Sequence, residues 1–270
     1  LIKLLKRWLN GPAPGQAEAD TVEKDTQSQV KPCLLPGRRL YCIGDIHGRL
    51  DLLEELHAMI QKDCAGFDGR RIVVYLGDYI DRGAQSKQVL DLLIEQPLEG
   101  FERVHLLGNH ENALLDFLRN PQGIGAAWLS FGGQVTCLSY GVGIGKLMLN
   151  MDLDLLREEL AEKLPQSHLD FLNSMPLYHT EGDYCFVHAG IRPGVPIADQ
   201  QLGDLLWIRE EFTRSPGNHG FVIVHGHTIS EEVEVLPNRI GIDTGAYQSG
   251  LLTALVLEGS RQRLLQTGRD

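Results

Sequence analysis

The chain has no C-x-x-C pair, and its cysteines are odd in number: Cys33, Cys42, Cys64, Cys137 and Cys185. That pattern excludes a disulfide-stapled scaffold and a zinc-thiolate cluster. It leaves free, mostly buried thiols of a reducing compartment, so the expected location is cytoplasmic. Basic charge is also scarce. With 25 Lys and Arg against 36 Asp and Glu, the formal net charge is -11, which argues against the basic field of a nucleic-acid binder, and no nucleic-acid partner is expected. No apolar run reaches the roughly 18 residues that a membrane-spanning helix needs, so no transmembrane segment is expected. What the chain does have is 43% hydrophobic residues over 270 positions, enough for one sizeable core. Part of its acidic surplus suits a second use, as carboxylates waiting for cations.

Residues 1–10, LIKLLKRWLN, put Leu1, Leu4, Leu5, Trp8 and Leu9 at helical spacing, with Lys3, Lys6 and Arg7 among them. The charges interrupt any leader-like apolar stretch, which argues against a signal peptide. The segment reads as a basic amphipathic helix that docks on its own domain or makes a weak membrane or partner contact. Residues 11–36 are polar and rich in Pro and Gly, the composition of a flexible linker. One domain is expected over 37–270.

From there the chain acquires a rhythm. RRLYCIGD, RIVVYLGD and ERVHLLGNHE are β-rich runs, each followed by apolar positions three and four apart, as in an amphipathic helix. Strands alternating with helices imply βαβ units and neighbouring parallel strands, whose ligand crevice lies off the carboxyl ends. Polar residues stand at each of those ends: Asp45 and His47, then Asp78, then Asn109 and His110. Asp45 and Asp78 are 33 residues apart, and Asp78 and Asn109 are 31, so each repeat returns the chain to the same sheet edge. Two later runs, DYCFVHAG and FVIVHGHT, end in His188 and in His225 and His227. Asp, Asn and His together are the oxygen and nitrogen donors of a borderline divalent ion such as Mn, Fe or Zn.

GDIHG (44–48), GDYIDRG (77–83), GNHE (108–111), HAG (188–190) and HGHT (225–228), in that order, resemble the motifs of the calcineurin-like metallophosphoesterase superfamily. Within it they look like the phosphoprotein phosphatase branch, of the bacterial serine/threonine protein phosphatase type. The resemblance runs over about residues 38–257. It implies an α/β fold, a four-layer α/β/β/α sandwich of two mixed sheets flanked by helices; the strand–helix rhythm by itself supports only the first half.

The resemblance also implies two divalent metal ions, expected as Mn2+ with Fe or Zn as alternatives. Asp45 and His47 would hold the first, Asp78 would bridge, and Asn109, His188 and His227 would complete the second. A metal-bridging hydroxide would attack phosphorus in line, with no phosphoenzyme. His110 would protonate the leaving alkoxide, and Asp81 would orient His110 and raise its pKa. The alternative for Asp81 is a cap on the following helix. Arg82 would clamp the phosphate. Arg209, in DLLWIRE, would be a second clamp, or else a surface salt bridge, while Arg192 reads as orienting the loop after His188.

Ile229 stands where the wider superfamily often has a second His after the ligand, a departure that favours the phosphoprotein phosphatase branch. His225 could share a side of its strand with His227 and is left outside the ligand set. Asp243 reads as a hydrogen-bond partner of a ligating His and Tyr247 as a border of the phosphate, against a plain turn with Gly245. Residues 119–150, glycine-rich with exposed-looking Trp128, Phe131 and Tyr140, are expected to form a cap near the metals and to seat specificity. The expected substrate is a phosphoserine or phosphothreonine protein, with phosphotyrosine as an extension, or another small phosphorylated compound. The alternative is a symmetrical dinucleoside polyphosphate, diadenosine tetraphosphate. The glycine-rich rim and the lack of an evident basic polyphosphate cluster favour the former. A noncatalytic scaffold is disfavoured, because no expected ligand is missing and His110 is in place.

Overall fold

The computed structural model describes residues 31–143, 145 and 152–268; the amphipathic segment 1–10 and most of the expected linker lie outside the described residues. The expected repeats are there: β1 (Arg38–Ile43), α1 (Leu50–Asp63), β2 (Arg70–Tyr75), α2 (Ser86–Glu95), β3 (Glu102–His105) and α3 (Asn109–Arg119). β1, β2 and β3 are parallel neighbours. α1 forms because Leu52, Leu53, Leu56 and Ile60 make one buried stripe, with Asp51 in its first turn and Lys62 in its last, each opposing the nearer end of the helix dipole. The C-terminal hairpin, β9 (Thr253–Glu258) and β10 (Arg261–Gln266), completes the sheet in the order β10-β9-β1-β2-β3.

A second sheet is built from β4 (Tyr178–Glu181), β5 (Tyr184–Val187), β6 (Val222–His225), β7 (Glu234–Val235) and β8 (Arg239–Gly241), in the order β4-β5-β6-β8-β7. Leu40, Cys42, Ile72 and Val74 of the first sheet share one buried cluster with Tyr184, Phe186, Val224 and Ile240 of the second. The intervening residues Tyr41, Ile43, Val73 and Tyr75 turn the other way, onto the helices. Cys185, Val187 and Ile223 likewise leave the second sheet to meet Leu205, Ile208 and Phe212. The result is the expected α/β/β/α sandwich. The inner strands are covered on both faces, which is why β1, β2, β5, β6 and β9 carry continuous apolar runs without alternation.

The glycine-rich segment is helical: α4 (Pro121–Trp128), a π-helical turn (Leu129–Gly133) and α5 (Gln134–Ser139). Residues 144 and 146–150 of it lie outside the described residues. Trp128 and Tyr140 are buried and only Phe131 is exposed, a correction to the reading of all three as exposed. Trp128 packs on Phe117, ring centroids 4.8 Å apart, while Tyr140 bonds His168. α6 (Leu153–Lys163) and α7 (Gln166–Asn173) follow, separated at Pro165, and then α8 (Leu202–Trp207), α9 (Glu210–Thr213) and α10 (Ala246–Ser249). The expected linker also ends sooner than residue 36. Leu34 is buried between the sheets and the Cys33 backbone N–H donates to Asp183. All five cysteines are free, and four are buried.

Candidate metal centre

The loops after β1, β2, β3, β5, β6 and β8 converge on Asp78. Its Oδ2 lies 3.4 Å from His47 Nε2 and 3.8 Å from His110 Nε2, and its Oδ1 lies 3.4 Å from His188 Nε2. Asn109 Oδ1 is 2.8 Å from His188 Nε2 and 2.9 Å from His227 Nδ1. Two groups of donors result, His47 with Asp78 and His110, and Asp78 with His188 and His227, each within 4.8 Å and both sharing Asp78. Asp45 joins from the other side: its carboxylate accepts the His227 backbone N–H at 3.0 and 3.2 Å and lies against Asp243.

Backbone carbonyls set the ring orientations. Ile80 O is 2.9 Å from His47 Nδ1, and Leu76 O is 2.9 Å from His188 Nδ1. An Nδ1–H donated there leaves each Nε2 lone pair aimed inward, as in metal-ligating histidines. His47 Nε2 and His227 Nε2 are buried and have no hydrogen-bond partner among the described residues, a costly state unless a donor or a cation meets those lone pairs. The electrostatics agree. Burial holds His47 down at about 3 and also lowers His188 and His227, so the imidazoles are neutral. Asp45 is pushed well up by burial and then by the Asp243 and Asp78 carboxylates. Neutral imidazoles around crowded carboxylates call for positive charge, and this all-N,O set fits a borderline divalent ion.

Backbone strain is concentrated at the same place. Among the described residues, those other than glycine with φ in the left-handed region are His47, Asp78, Asp81, Arg82 and His227, at 47 to 71°. Each such conformation costs about 1–3 kcal/mol and persists only where surrounding structure enforces it. Glu111 supplies much of that enforcement. Its buried carboxylate accepts the N–H groups of Gly108, Asp78, Tyr79 and Ile80 at 2.8 to 3.2 Å. The sequence reading passed over Glu111, although a Glu three residues after a helix cap is a recognisable signal.

His110 Nδ1 is 2.6 Å from Asp81 Oδ2. Burial opposes protonation of His110, but Asp78 and Asp81 outweigh it and raise the imidazole above its ordinary value. The Asp81 carboxylate also accepts the Trp128 indole N–H at 3.0 Å and the Thr136 hydroxyl, so it is spent on these three groups and does not cap α2. Trp128 and Thr136 were not read as site residues. Arg82 Nη2 is 3.2 Å from His110 Nε2, and its guanidinium lies 4.7 Å over the Tyr247 ring, which itself meets His47 edge-on at 5.3 Å.

Arg209 donates to the His227 carbonyl at 3.2 Å, and among the described residues no carboxylate pairs with it. Arg192 is held by Asp204 and Glu211, tying the loop after His188 to α8 and α9. Two expectations fail. Asp243 touches Asp45 and accepts the Gly245 N–H, and does not hydrogen-bond a ligating His. His225 faces away from the centre, its ring 5.1 Å from Phe212 and its Nε2 3.4 Å from Arg239. β6 ends at His225, and the left-handed turn at His227 breaks the strand geometry that would have put both rings on one side.

A family profile described as calcineurin-like phosphoesterase matches residues 38–249. Serine/threonine-protein phosphatase 2 of Escherichia coli is 28% identical over 225 residues, which is 80% of this chain and 91% of that protein. A bis(5'-nucleosyl)-tetraphosphatase of the asymmetrical kind from Anoxybacillus flavithermus is 27% identical over 236 residues, 79% of this chain and 88% of that protein. In three dimensions the chain is similar to a cold-active protein tyrosine phosphatase, with a TM-score of 0.56 at 19% identity, over 86% of this chain and 78% of that one. That last likeness concerns the fold alone.

Proposed function

The chain belongs to the calcineurin-like phosphoesterase family, a family of phosphoester hydrolases, and from that premise we propose that it is a dimetal-dependent phosphatase of phosphoserine and phosphothreonine in proteins. The observation that carries the reading is the sharing of Asp78 by two donor groups, in one of which His110 is also bonded to Asp81 and faces Arg82. Asp45, His47 and Asp78 would hold one ion, and Asp78, Asn109, His188 and His227 the other. Bound there, divalent ions acidify water toward neutral pH and balance charge on the phosphoryl oxygens.

The chain's own residues do the rest. Arg82 and Arg209 orient the phosphate through paired guanidinium donors. His110 gives the proton on Nε2 to the leaving oxygen, while Asp81, at Nδ1, fixes the ring and favours its charged form. Asp45 has a further task, gripping the His227 backbone so that the left-handed turn holds.

The Anoxybacillus relative supports a second reading, cleavage of a dinucleoside polyphosphate. Against it, Arg192 next to the His188 loop is already committed to two carboxylates, whereas a tetraphosphate chain asks for added cations. The test is side-by-side turnover of phosphopeptides and diadenosine tetraphosphate with added manganese. Phosphate release from the peptides is expected; nucleotide production with inert phosphopeptides would overturn the proposal.

A further inference from the structure

Arg239, on β8, is a charged side chain only 3% exposed. A guanidinium buried so deeply persists where its donors are engaged, since an apolar side chain would fill the same space without the desolvation cost. Its donors go to three separate segments. It pairs with Glu234 of β7 at 2.7 Å and donates to the backbone carbonyl of Thr213 at 2.9 Å. It also lies 3.4 Å from His225 Nε2. His225 Nδ1 is 3.1 Å from the Gly226 carbonyl, and an Nδ1–H donated there leaves the Nε2 lone pair for Arg239.

Thr213 closes α9, and its carbonyl is one of those that a helix end leaves without a partner in the helix. From Thr213 a short run of hydrogen bonds leads back to the candidate centre. The Thr213 N–H donates to the Arg209 carbonyl at 2.9 Å, and the Arg209 guanidinium donates to the His227 carbonyl at 3.2 Å. Its positive charge opposes protonation of both His188 and His227. α9 has only four residues, far too few to hold a helical shape unaided, so its place is set by what grips it. On one side the Phe212 ring sits where a Cβ on Gly190 would stand 2.3 Å away; at the end, Arg239 holds Thr213. No carboxylate among the described residues fixes the flexible Arg209 side chain, so its backbone anchorage decides where the guanidinium rests. We propose that Arg239 is a positioning residue for Arg209: by gripping the end of α9 it keeps the Arg209 guanidinium beside the His188 and His227 loops, ready for phosphate, with Glu234 and His225 steadying Arg239. The inference rests on the reading of Arg209 as a phosphate clamp.

The test uses the manganese-loaded full chain, with phosphopeptide turnover and its inhibition by inorganic phosphate. Arg209→Met and Arg239→Met should each raise KM and the inhibition constant of phosphate at least about fivefold, the scale of one charge-assisted hydrogen bond, with kcat changed less. Neither constant depends on the folded fraction, so a poorly folding variant still reports. In an Arg209→Met background, Arg239→Met should shift phosphate inhibition by less than about twofold. Glu234→Gln, at a half-exposed carboxylate, leaves the core closed and should weaken phosphate inhibition about twofold in the wild type and not in Arg209→Met. If Arg209→Met weakens phosphate inhibition and Arg239→Met does not, or if the two effects multiply, the positioning role is overturned while the clamp stands. An Arg209→Met chain with wild-type phosphate inhibition removes the clamp reading itself, and the positioning role with it.

Discussion

The indole nitrogen of Trp128 lies 3.0 Å from Asp81 Oδ2, the same oxygen that holds His110 Nδ1 at 2.6 Å. Trp128→Phe keeps the ring packing on Phe117 and deletes one hydrogen bond to a buried carboxylate, a loss of about 1–3 kcal/mol. The expected result is a kcat lowered roughly tenfold with KM little changed, against a fall of about 10²–10⁴ for His110→Asn. In an Asp81→Asn background, Trp128→Phe should add almost nothing. A double-mutant cycle on kcat checks this, and full additivity would show that Trp128 acts elsewhere.

Metal removal should be visible without any substrate. Asp45, Asp78 and Asp243 crowd one buried volume, so ions that bind the folded state alone should raise its melting temperature by mass action. Chelator-treated protein is expected to melt lower and to lose hydrolysis, and manganese should restore both. Asp78→Asn should cancel the manganese-dependent rise, because both donor groups lose their shared carboxylate. Thermal melts with and without ions read the difference.

Gly132 sits at φ 114°, and a Cβ there would stand 2.7 Å from the Arg82 backbone nitrogen and 2.9 Å from Arg82 Cγ. Gly132→Ala therefore meets backbone strain and a collision with an arginine already in a left-handed conformation. We expect a loss of about 1–3 kcal/mol in urea unfolding, together with a raised KM for phosphopeptides as the guanidinium is displaced. A variant with wild-type KM would separate Arg82 from phosphate binding.

His57 offers a pH test outside the centre. Burial pushes it down to about 4, and its Nε2 lies 2.9 Å from the Tyr75 hydroxyl. Between that value and the ordinary imidazole value of about 6.5, the unfolded chain binds a proton that the folded chain refuses, so stability falls as pH drops through this window. Unfolding free energies of the wild type and His57→Gln, compared at pH 7 and pH 4.5, should show the wild type losing on the order of 2 kcal/mol more. Equal losses would count against a buried neutral His57.

The convergence of Asp45, His47, Asp78, Asn109, His188 and His227 was legible because each stands in a short motif at the end of an apolar run, and a βα repeat must bring those ends to one edge. Trp128 was misread for the converse reason. Its segment is glycine-rich, which looks like a loop, while the carboxylate that takes its indole N–H is Asp81, 47 residues earlier. Thr136 and Asp81 are 55 apart, and no local pattern announces such a pair. His225 and His227 show the limit of periodicity: two-residue spacing implies a shared face only while the strand continues, and here it stops.

The sequence by itself determined which residue types reach the carboxyl edge of the strands, and in what order, since apolar run, glycine and polar end are all local properties. Only the tertiary structure decided that His47, Asp78, Asp81, Arg82 and His227 adopt left-handed backbone, that Glu111 braces the loop of Asp78, Trp128 and Thr136 that of Asp81 and Asp45 that of His227, and that Phe131 and Trp207 meet. Such strained conformations are unfavourable for each residue alone. They persist through hydrogen bonds and packing from chain segments far away in sequence, a balance that no local stretch contains.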